Sequence, residues 1–136
     1  MNTQTLEQMK QLRLYGMYRA FEGSLSPQNT NLYTNDELIA YLLQSEWDDR
    51  QNRKIERLTQ AAHFRYSAVM EAIDYDASRS LDKNQIQRFS SCNFIAQKQN
   101  ILITGSTGAG KSYMASAIGH QACSLGYKVM YFNTNK

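Results

Sequence analysis

The chain has 136 residues, of which 42% are hydrophobic and 20% charged, and its formal net charge is +3. This composition is that of an ordinary globular protein, and the length suits one domain or a small domain with part of a second. No apolar run approaches membrane-spanning length, and the N-terminus lacks the apolar core of a signal peptide. We therefore expect a cytoplasmic protein.

The first predicted element is a single helix over residues 3–25. Its apolar residues recur every three or four positions and form one stripe, which is more typical of a buried core face than of a groove for a partner. They are Leu6, Met9, Leu12, Tyr15, Tyr18, Phe21 and Leu25. The only proline lies in the following stretch, 26–31, which is typical of a turn.

A second helix is predicted from about Asp36 to Ala62. Thr34 and Glu37 have the spacing of a capping box, in which a hydroxyl and a carboxylate each accept a free backbone N–H. The first half of this helix is apolar enough to pack against the first helix. Residues 48–54 are all polar, so that no face is apolar for two turns.

The polar part of this helix allows two interpretations. Glu46 with Arg50, and Asp49 with Arg53, are four residues apart in the favourable acid-first order, which predicts a solvated helix with weak ion pairs. Alternatively, a basic ridge contacts DNA or a neighbouring subunit. That ridge consists of Arg50, Arg53, Lys54 and Arg57.

Residues 63–80 are predicted to be irregular or briefly helical, with a domain junction somewhere in residues 70–80. A short capped helix is predicted near Asp82–Ser90, with Ile86 and Phe89 turned inward. Cys92 and Cys123 have neither C-x-x-C nor metal-site spacing, which predicts two reduced, partly buried thiols. The isolated His63 and His120 are expected to be surface or packing residues.

From Asn100 onward the pattern changes to that of an α/β protein. The segments "NILIT" (100–104) and "YKVMYFN" (127–133) are apolar and β-branched, which predicts strands buried on both faces. A glycine-rich loop and a helix ending near Gly126 lie between them. Strand, loop, helix and strand form a βαβ unit, the start of a parallel sheet.

The loop fits the pattern G-x-x-x-x-G-K-[ST] of phosphate-binding (Walker A) loops. Glycines let successive backbone N–H groups point into one cavity, and the N-terminus of the next helix adds positive potential there. Lys111 would reach the β- and γ-phosphates of ATP, and the Ser112 hydroxyl would ligate Mg²⁺. The candidate nucleotide-binding residues are Gly105, Ser106, Thr107, Gly108, Ala109, Gly110, Lys111, Ser112 and Tyr113.

Nucleotide turnover needs residues that this part of the chain does not supply. No Asp or Glu follows Asp82 and no arginine follows Arg88, whereas residues 100–136 hold three lysines. The lysines suit an anionic phosphate, although they are too few to indicate a nucleic-acid surface. Hydrolysis normally requires a second-strand Asp for Mg²⁺, a group that orients water and an arginine finger. We therefore expect nucleotide binding by this polypeptide, without catalytic residues for hydrolysis.

Four segments together resemble the N-terminal half of the IstB transposition helper ATPases, which belong to the AAA+ group and are related to DnaC-type helicase loaders. They are "LRLYGMYRAFEGSL", "LLQSEWDDRQNRKIERLTQAAHFR", "RSLDKNQIQRFSSCNFI" and "NILITGSTGAGKSYMASAIGHQACSLGYKVMYFNT". The resemblance implies an ATP-dependent helper that assembles on double-stranded DNA as an oligomer and stimulates a partner transposase. It also implies that Phe94 and Ile95 line the adenine pocket.

The resemblance further implies three segments: a helical N-terminal domain for assembly or DNA contact (1–70), a linker with a short helix (71–99), and a truncated AAA+ core (100–136). In the AAA+ strand order the two predicted strands are not neighbours, so both would lack their partners here. Three alternatives are a DnaC-like helicase loader, a non-enzymatic helical assembly or DNA-binding module, and a small-molecule P-loop kinase, which the long helical prelude fits poorly.

Overall fold

A computed structural model of the chain describes residues 1–28, 33–75, 81–105 and 110–134. The chain divides into two compact units, Met1–Lys54 and Ile55–Lys136. The boundary between them falls within the longest helix, α3 (Asn35–Ala62). The domain boundaries predicted after residues 70 and 99 stay predictions.

The first unit begins with two helices, α1 (Asn2–Gln11) and α2 (Tyr15–Ser24), where one was predicted. The single helix over residues 3–25 is wrong because Arg13 adopts the left-handed conformation, with φ of 61°. The Arg13 N–H donates to the Lys10 carbonyl (2.9 Å) and the Leu14 N–H to the Met9 carbonyl (2.8 Å). These two hydrogen bonds form the Schellman closure, which usually ends on glycine.

Helix α3 begins with the predicted capping box. The Glu37 N–H donates to the Thr34 hydroxyl (3.2 Å), and the Thr34 N–H donates to the Glu37 carboxylate (3.4 Å). The predicted ion pairs of Glu46 with Arg50 and of Asp49 with Arg53 are also present. Local sequence therefore predicts both the start of this helix and its i,i+4 pairs.

The second unit contains the short helices α4 (Lys83–Arg88) and α5 (Asn93–Ala96) and the longer helix α6 (Lys111–Ser124). It also contains 3₁₀ turns at Met70–Ala72 and Phe89–Ser91. The Asp82 side chain caps α4 by accepting the Asn84 N–H (3.0 Å), which confirms the predicted cap. The core consists of Ala68, Met70, Ile73, Ile86, Met114, Ala117 and Ile118, with Phe89 packed against it.

The predicted start of a parallel sheet is absent from the described residues, which contain helices and no strand. Within 101–104 and 127–132, half-buried and exposed residues alternate, so neither segment is buried on both faces as predicted; Leu102 is 91% exposed. A strand forms only when a neighbouring strand accepts its backbone hydrogen bonds. These two segments do not pair with each other, and the Tyr131 N–H donates instead to the Ala62 carbonyl (2.9 Å).

Candidate nucleotide-binding site

The two ends of the glycine-rich loop lie in the second unit. Gly105 ends the extended segment, and Gly110 immediately precedes α6 with φ of 87° and ψ of 22°. Residues with side chains adopt this left-handed conformation only at a cost, so the backbone favours the second glycine of the motif. The predicted site residues Ser106, Thr107, Gly108 and Ala109 lie outside the described residues.

Lys111, the first residue of α6, joins the two ends of the loop. Its Nζ donates a hydrogen bond to the Gly105 carbonyl oxygen at 2.6 Å, across the loop between them. The ammonium group is therefore held at Gly105, the residue with which the motif begins, and the motif predicts that this lysine contacts phosphate. A phosphate oxygen is a stronger acceptor than a carbonyl because it is charged, so it can replace Gly105 at this ammonium.

The N-terminus of α6 has no side-chain cap. The first hydrogen bond that closes the helix runs from the Met114 N–H to the Gly110 carbonyl (3.0 Å). The N–H groups of Lys111, Ser112 and Tyr113 therefore find no acceptor within the helix, as in any first turn. Together with the helix dipole they favour an anion at this end.

The residues present fit a nucleotide with its magnesium ion. The exposed Ser112 supplies a hydroxyl of the kind that ligates Mg²⁺, next to the lysine and the first-turn N–H groups of α6. Tyr113, also predicted as a site residue, is half-buried and packs against the core, where it anchors the first turn of α6.

Helix α6 is fixed in place along its length. At Gly119 an added Cβ would meet the Phe64 ring at 2.5 Å, so only glycine admits that ring. The His120 ring stacks on Phe64 (centroids 4.2 Å apart), and one of its nitrogens lies 3.1 Å from the Tyr66 carbonyl oxygen. Gly126, with φ of 92°, closes the helix as the sequence predicts. His120 is thus a packing residue that helps to hold the loop-bearing helix.

An open cavity of about 530 Å³ is lined by residues that precede the loop in the sequence. Phe89 and Phe94, which are in edge-to-face contact with centroids 6.0 Å apart, form part of its wall. Among the described residues, the lining consists of Gln85, Phe89, Phe94, Gln99, Asn100, Ile101 and Leu102. Apolar rings with nearby amide groups suit a flat heteroaromatic ligand. Phe94 is among the lining residues and Ile95 is not, and the adenine-pocket role that the resemblance implies for both stays a prediction.

A sequence model of the family described as IstB-like ATP binding protein matches residues 7–136. This match covers nearly the whole chain, including the loop and both units. The chain belongs to the IstB-like ATP-binding protein family.

Relatives within the IstB-like family come from insertion sequences. The chain is 40% identical over 135 residues to the IS1162 ATP-binding protein of Pseudomonas fluorescens, covering 98% of this chain and 58% of that protein. It is 33% identical over 127 residues to the insertion-sequence ATP-binding protein y4pL of Sinorhizobium fredii, covering 93% and 52%. It is 30% identical over 128 residues to the IS5376 ATP-binding protein of Geobacillus stearothermophilus, covering 94% and 51%. The chain spans about half the length of these relatives.

The four basic residues singled out on α3 differ in their surroundings. Arg50 Nε donates to Glu46 (3.1 Å), and Arg53 lies 2.9 Å from Asp49, so these two charges are partly neutralised within the chain. Lys54 and Arg57 are exposed. The proposed contact of this ridge with DNA or a subunit stays a prediction for this member of the IstB-like family.

Sequence reasoning missed the contact between Gly16 and Glu46. The Glu46 carboxylate, 5% exposed, accepts the N–H of Gly16 (3.0 Å) and of Met17 (3.4 Å) at the start of α2. A glycine among apolar residues in "LYGMYR" is the one sequence feature that could have indicated a close approach.

Two remaining predictions concern the cysteines and metals. Cys92 and Cys123 are free, as predicted, but fully buried where partial burial was predicted, and burial raises the pKa of both thiols. Among the residues that the structure describes, no group of three His, Cys, Asp or Glu could hold a metal ion. No helix in the same residues is long and apolar enough to span a membrane.

Proposed function

We propose that this chain binds ATP with Mg²⁺ through Gly105–Tyr113 and acts as a helper protein of insertion-sequence DNA transposition. The observation that carries the proposal is the position of Lys111, whose Nζ donates to the Gly105 carbonyl at 2.6 Å. Membership of the IstB-like ATP-binding family supports ATP as the ligand. The names of the insertion-sequence relatives support a role in transposition.

The roles of the residues follow from their chemistry. The free N–H groups of Lys111, Ser112 and Tyr113 hold phosphate oxygens, and the Lys111 ammonium exchanges the Gly105 carbonyl for a phosphate oxygen. The Ser112 hydroxyl holds Mg²⁺. Bound MgATP would supply the negative charge that this loop is suited to hold and a hydrolysable phosphate bond. The described residues after the loop contain no carboxylate for that hydrolysis.

The cavity beside Phe89 and Phe94 is proposed as the adenine pocket. Its wall includes Leu102, three residues before Gly105. Three residues of extended chain span at most about 10 Å, which is the scale of the distance from a base to its phosphates. Amides of Gln85 and Asn100 can accept and donate hydrogen bonds to the edge of a purine.

Assembly on double-stranded DNA and stimulation of a transposase extend the proposal to partners. Lys54 and Arg57, which are exposed on α3, are the ridge residues proposed to contact phosphates. Because phosphate contacts are sequence-independent and weaken with salt, we expect DNA affinity to fall steeply as salt rises.

Fluorescence anisotropy with a labelled duplex tests this extension. We expect the chain with MgATP to bind duplex more tightly than without nucleotide, and Lys111→Ala to remove the difference. Equal binding with and without nucleotide would instead favour a non-enzymatic helical DNA-binding module. Co-purification with a replicative helicase, and not with a transposase, would favour a DnaC-like loader.

A further inference from the structure

Both histidines of the chain line one small cavity in the second unit. The sequence has only two, His63 and His120, and they share the wall of an open cavity of about 220 Å³. Imidazole is the commonest metal-binding side chain in proteins, and it suits divalent transition metals. The other described residues of the lining are Thr59, Gln60, Phe64, Tyr66 and Ser67.

The His120 ring is held in a defined orientation. It stacks on Phe64, with centroids 4.2 Å apart, and its Nε2 lies 3.1 Å from the Tyr66 carbonyl oxygen. A carbonyl oxygen can only accept a hydrogen bond, so Nε2 carries a proton. In the neutral ring, Nδ1 therefore has the lone pair. Metal-binding histidines commonly donate their second N–H to a backbone carbonyl in this way, which fixes the ring for the metal.

His63 reaches the same cavity from the end of α3. It directly follows Ala62, the last residue of that helix, and adopts the left-handed conformation with φ of 56°. Because the residue is exposed, its side chain can change rotamer without disturbing the core. One nitrogen of each ring must lie about 2 Å from a shared zinc ion. Rotation of His63 within the open cavity supplies the adjustment.

We propose that this cavity binds one divalent transition-metal ion of the zinc class through Nδ1 of His120 and a ring nitrogen of His63. The described residues provide no cluster of three His, Cys, Asp or Glu, so water and the lining hydroxyls complete the coordination. Mg²⁺ and Ca²⁺ prefer carboxylate oxygens, which the described lining lacks. With two protein nitrogens where dedicated sites have three or four ligands, the dissociation constant for Zn²⁺ is about 1–100 µM.

An ion bound here joins the end of α3 to the middle of α6, the helix that Lys111 begins. Since the two histidines are far apart in the sequence, the unfolded chain does not present them together, and the ion stabilises the folded unit. At about 100 times its dissociation constant, it shifts the unfolding equilibrium by up to about 100-fold toward the folded state. This site is separate from the nucleotide loop, so its test stands apart from that of the proposed function.

Calorimetric titration of the untagged, chelator-treated chain with Zn²⁺ tests the site. We expect one saturable site, weakened at least about tenfold in His63→Asn and in His120→Gln, since each removes one of two ligands. Asparagine tolerates the left-handed backbone at position 63, and the glutamine amide can still donate to the Tyr66 carbonyl. Cys123→Ser, which removes a buried thiol outside the described lining, binds Zn²⁺ as the wild type does.

Nitrogen-15 NMR of the imidazoles identifies the ligand atoms, because only two histidines contribute signals. We expect Zn²⁺ to shift His120 Nδ1 and one nitrogen of His63, while His120 Nε2 stays protonated. Absence of saturable binding below about 1 mM would overturn the proposal. So would equal affinity in His63→Asn, which keeps the proposal testable if His120→Gln does not fold. Loss of binding in Cys123→Ser, with both imidazole spectra unchanged by Zn²⁺, would assign the ion to the thiol and also overturn it.

Discussion

Gly16 shows how one residue without a side chain determines the packing of two helices. A Cβ at this position would lie 2.5 Å from the Ser45 carbonyl oxygen and 2.7 Å from the Asp49 Cβ. Real Cβ atoms do not approach so closely, so any other residue forces α2 and α3 apart. Gly23 lies in the same helix, and a Cβ there would meet nothing within 4 Å.

These two glycines therefore make a matched pair of substitutions. We expect Gly16→Ala to lower the free energy of unfolding by about 1–3 kcal/mol, because overpacking shifts the backbone. Gly23→Ala should raise it by roughly 0.5–1 kcal/mol, because alanine has the higher helix propensity. Urea unfolding followed by circular dichroism measures both. Equal effects of the two substitutions would show that the helices do not approach at Gly16.

Residues with local roles were predictable from sequence, and Gly16 was not. Gly110 and Lys111 follow from a motif whose geometry is contained within a few residues, so the sequence alone singles them out, and their role at a nucleotide stays a prediction. The role of Gly16 depends on Ser45, Glu46 and Asp49, which follow it by 29 to 33 positions. No local sequence pattern indicates a contact over that separation. The same reason applies to the buried position of Glu46, which local spacing alone places in an exposed ion pair.

At the scale of elements, α2 depends on α3 for its cap. Helix α2 has no side-chain cap of its own. The Glu46 carboxylate takes that place, and its other oxygen accepts from Arg50 and lies 3.9 Å from Arg53. A buried carboxylate is tolerated here because cations and backbone N–H groups surround it.

Substitution of Glu46 measures this cap. We expect Glu46→Ala to destabilise the fold by about 2–4 kcal/mol, because two N–H groups and the Arg50 guanidinium lose their acceptor, while Arg53 keeps its pair with Asp49. Glu46→Gln keeps an acceptor for the N–H groups and should cost about half as much. Glu56→Ala, which removes an exposed glutamate from the same helix, should change stability by less than about 0.5 kcal/mol. Similar losses for Glu46→Ala and Glu56→Ala in chemical denaturation would contradict this role.

Elements were predictable where their ends are set locally. The capping box at Thr34 and the Asp82 cap of α4 depend on residues two to three positions apart, and both are confirmed. The break after α1 depends on Arg13 adopting the left-handed conformation that glycine usually takes. Because the spacing of apolar residues continues through Arg13 without interruption, the sequence pattern gave no sign of this break. The predicted strands failed because a sheet needs partners from elsewhere, and apolar composition does not show whether those partners are present.

At the scale of the molecule, both cysteines lie in the unit that carries the loop. Cys92 and Cys123 are buried, and Cys123 lies on α6, the helix that Lys111 begins. Burial raises the pKa of these thiols, which means that the folded state favours their neutral form. This stabilisation is present below the ordinary thiol pKa and is lost as pH rises above it.

Thiol labelling should therefore report nucleotide binding in the second unit. Below the ordinary thiol pKa, we expect labelling by a disulfide reagent to be slow, and MgATP at about 100 times its dissociation constant to slow it up to about 100-fold further. The reason is that the buried thiols react only when the fold opens, and a ligand that binds the folded state lowers the population of that open state. Lys111→Ala should remove the nucleotide effect. Equal protection in that variant would mean that the nucleotide binds elsewhere.

The central claim is that the loop between Gly105 and Lys111 holds a nucleotide, and a titration with a fluorescent ATP analogue and Mg²⁺ tests it most directly. We expect saturable binding, weakened about tenfold to a hundredfold in Lys111→Ala through loss of a charged hydrogen bond. Lys128→Ala, which removes an exposed lysine from the same unit, should bind as the wild type does. No saturable binding by the wild type, or equal affinity in Lys111→Ala, would contradict the claim.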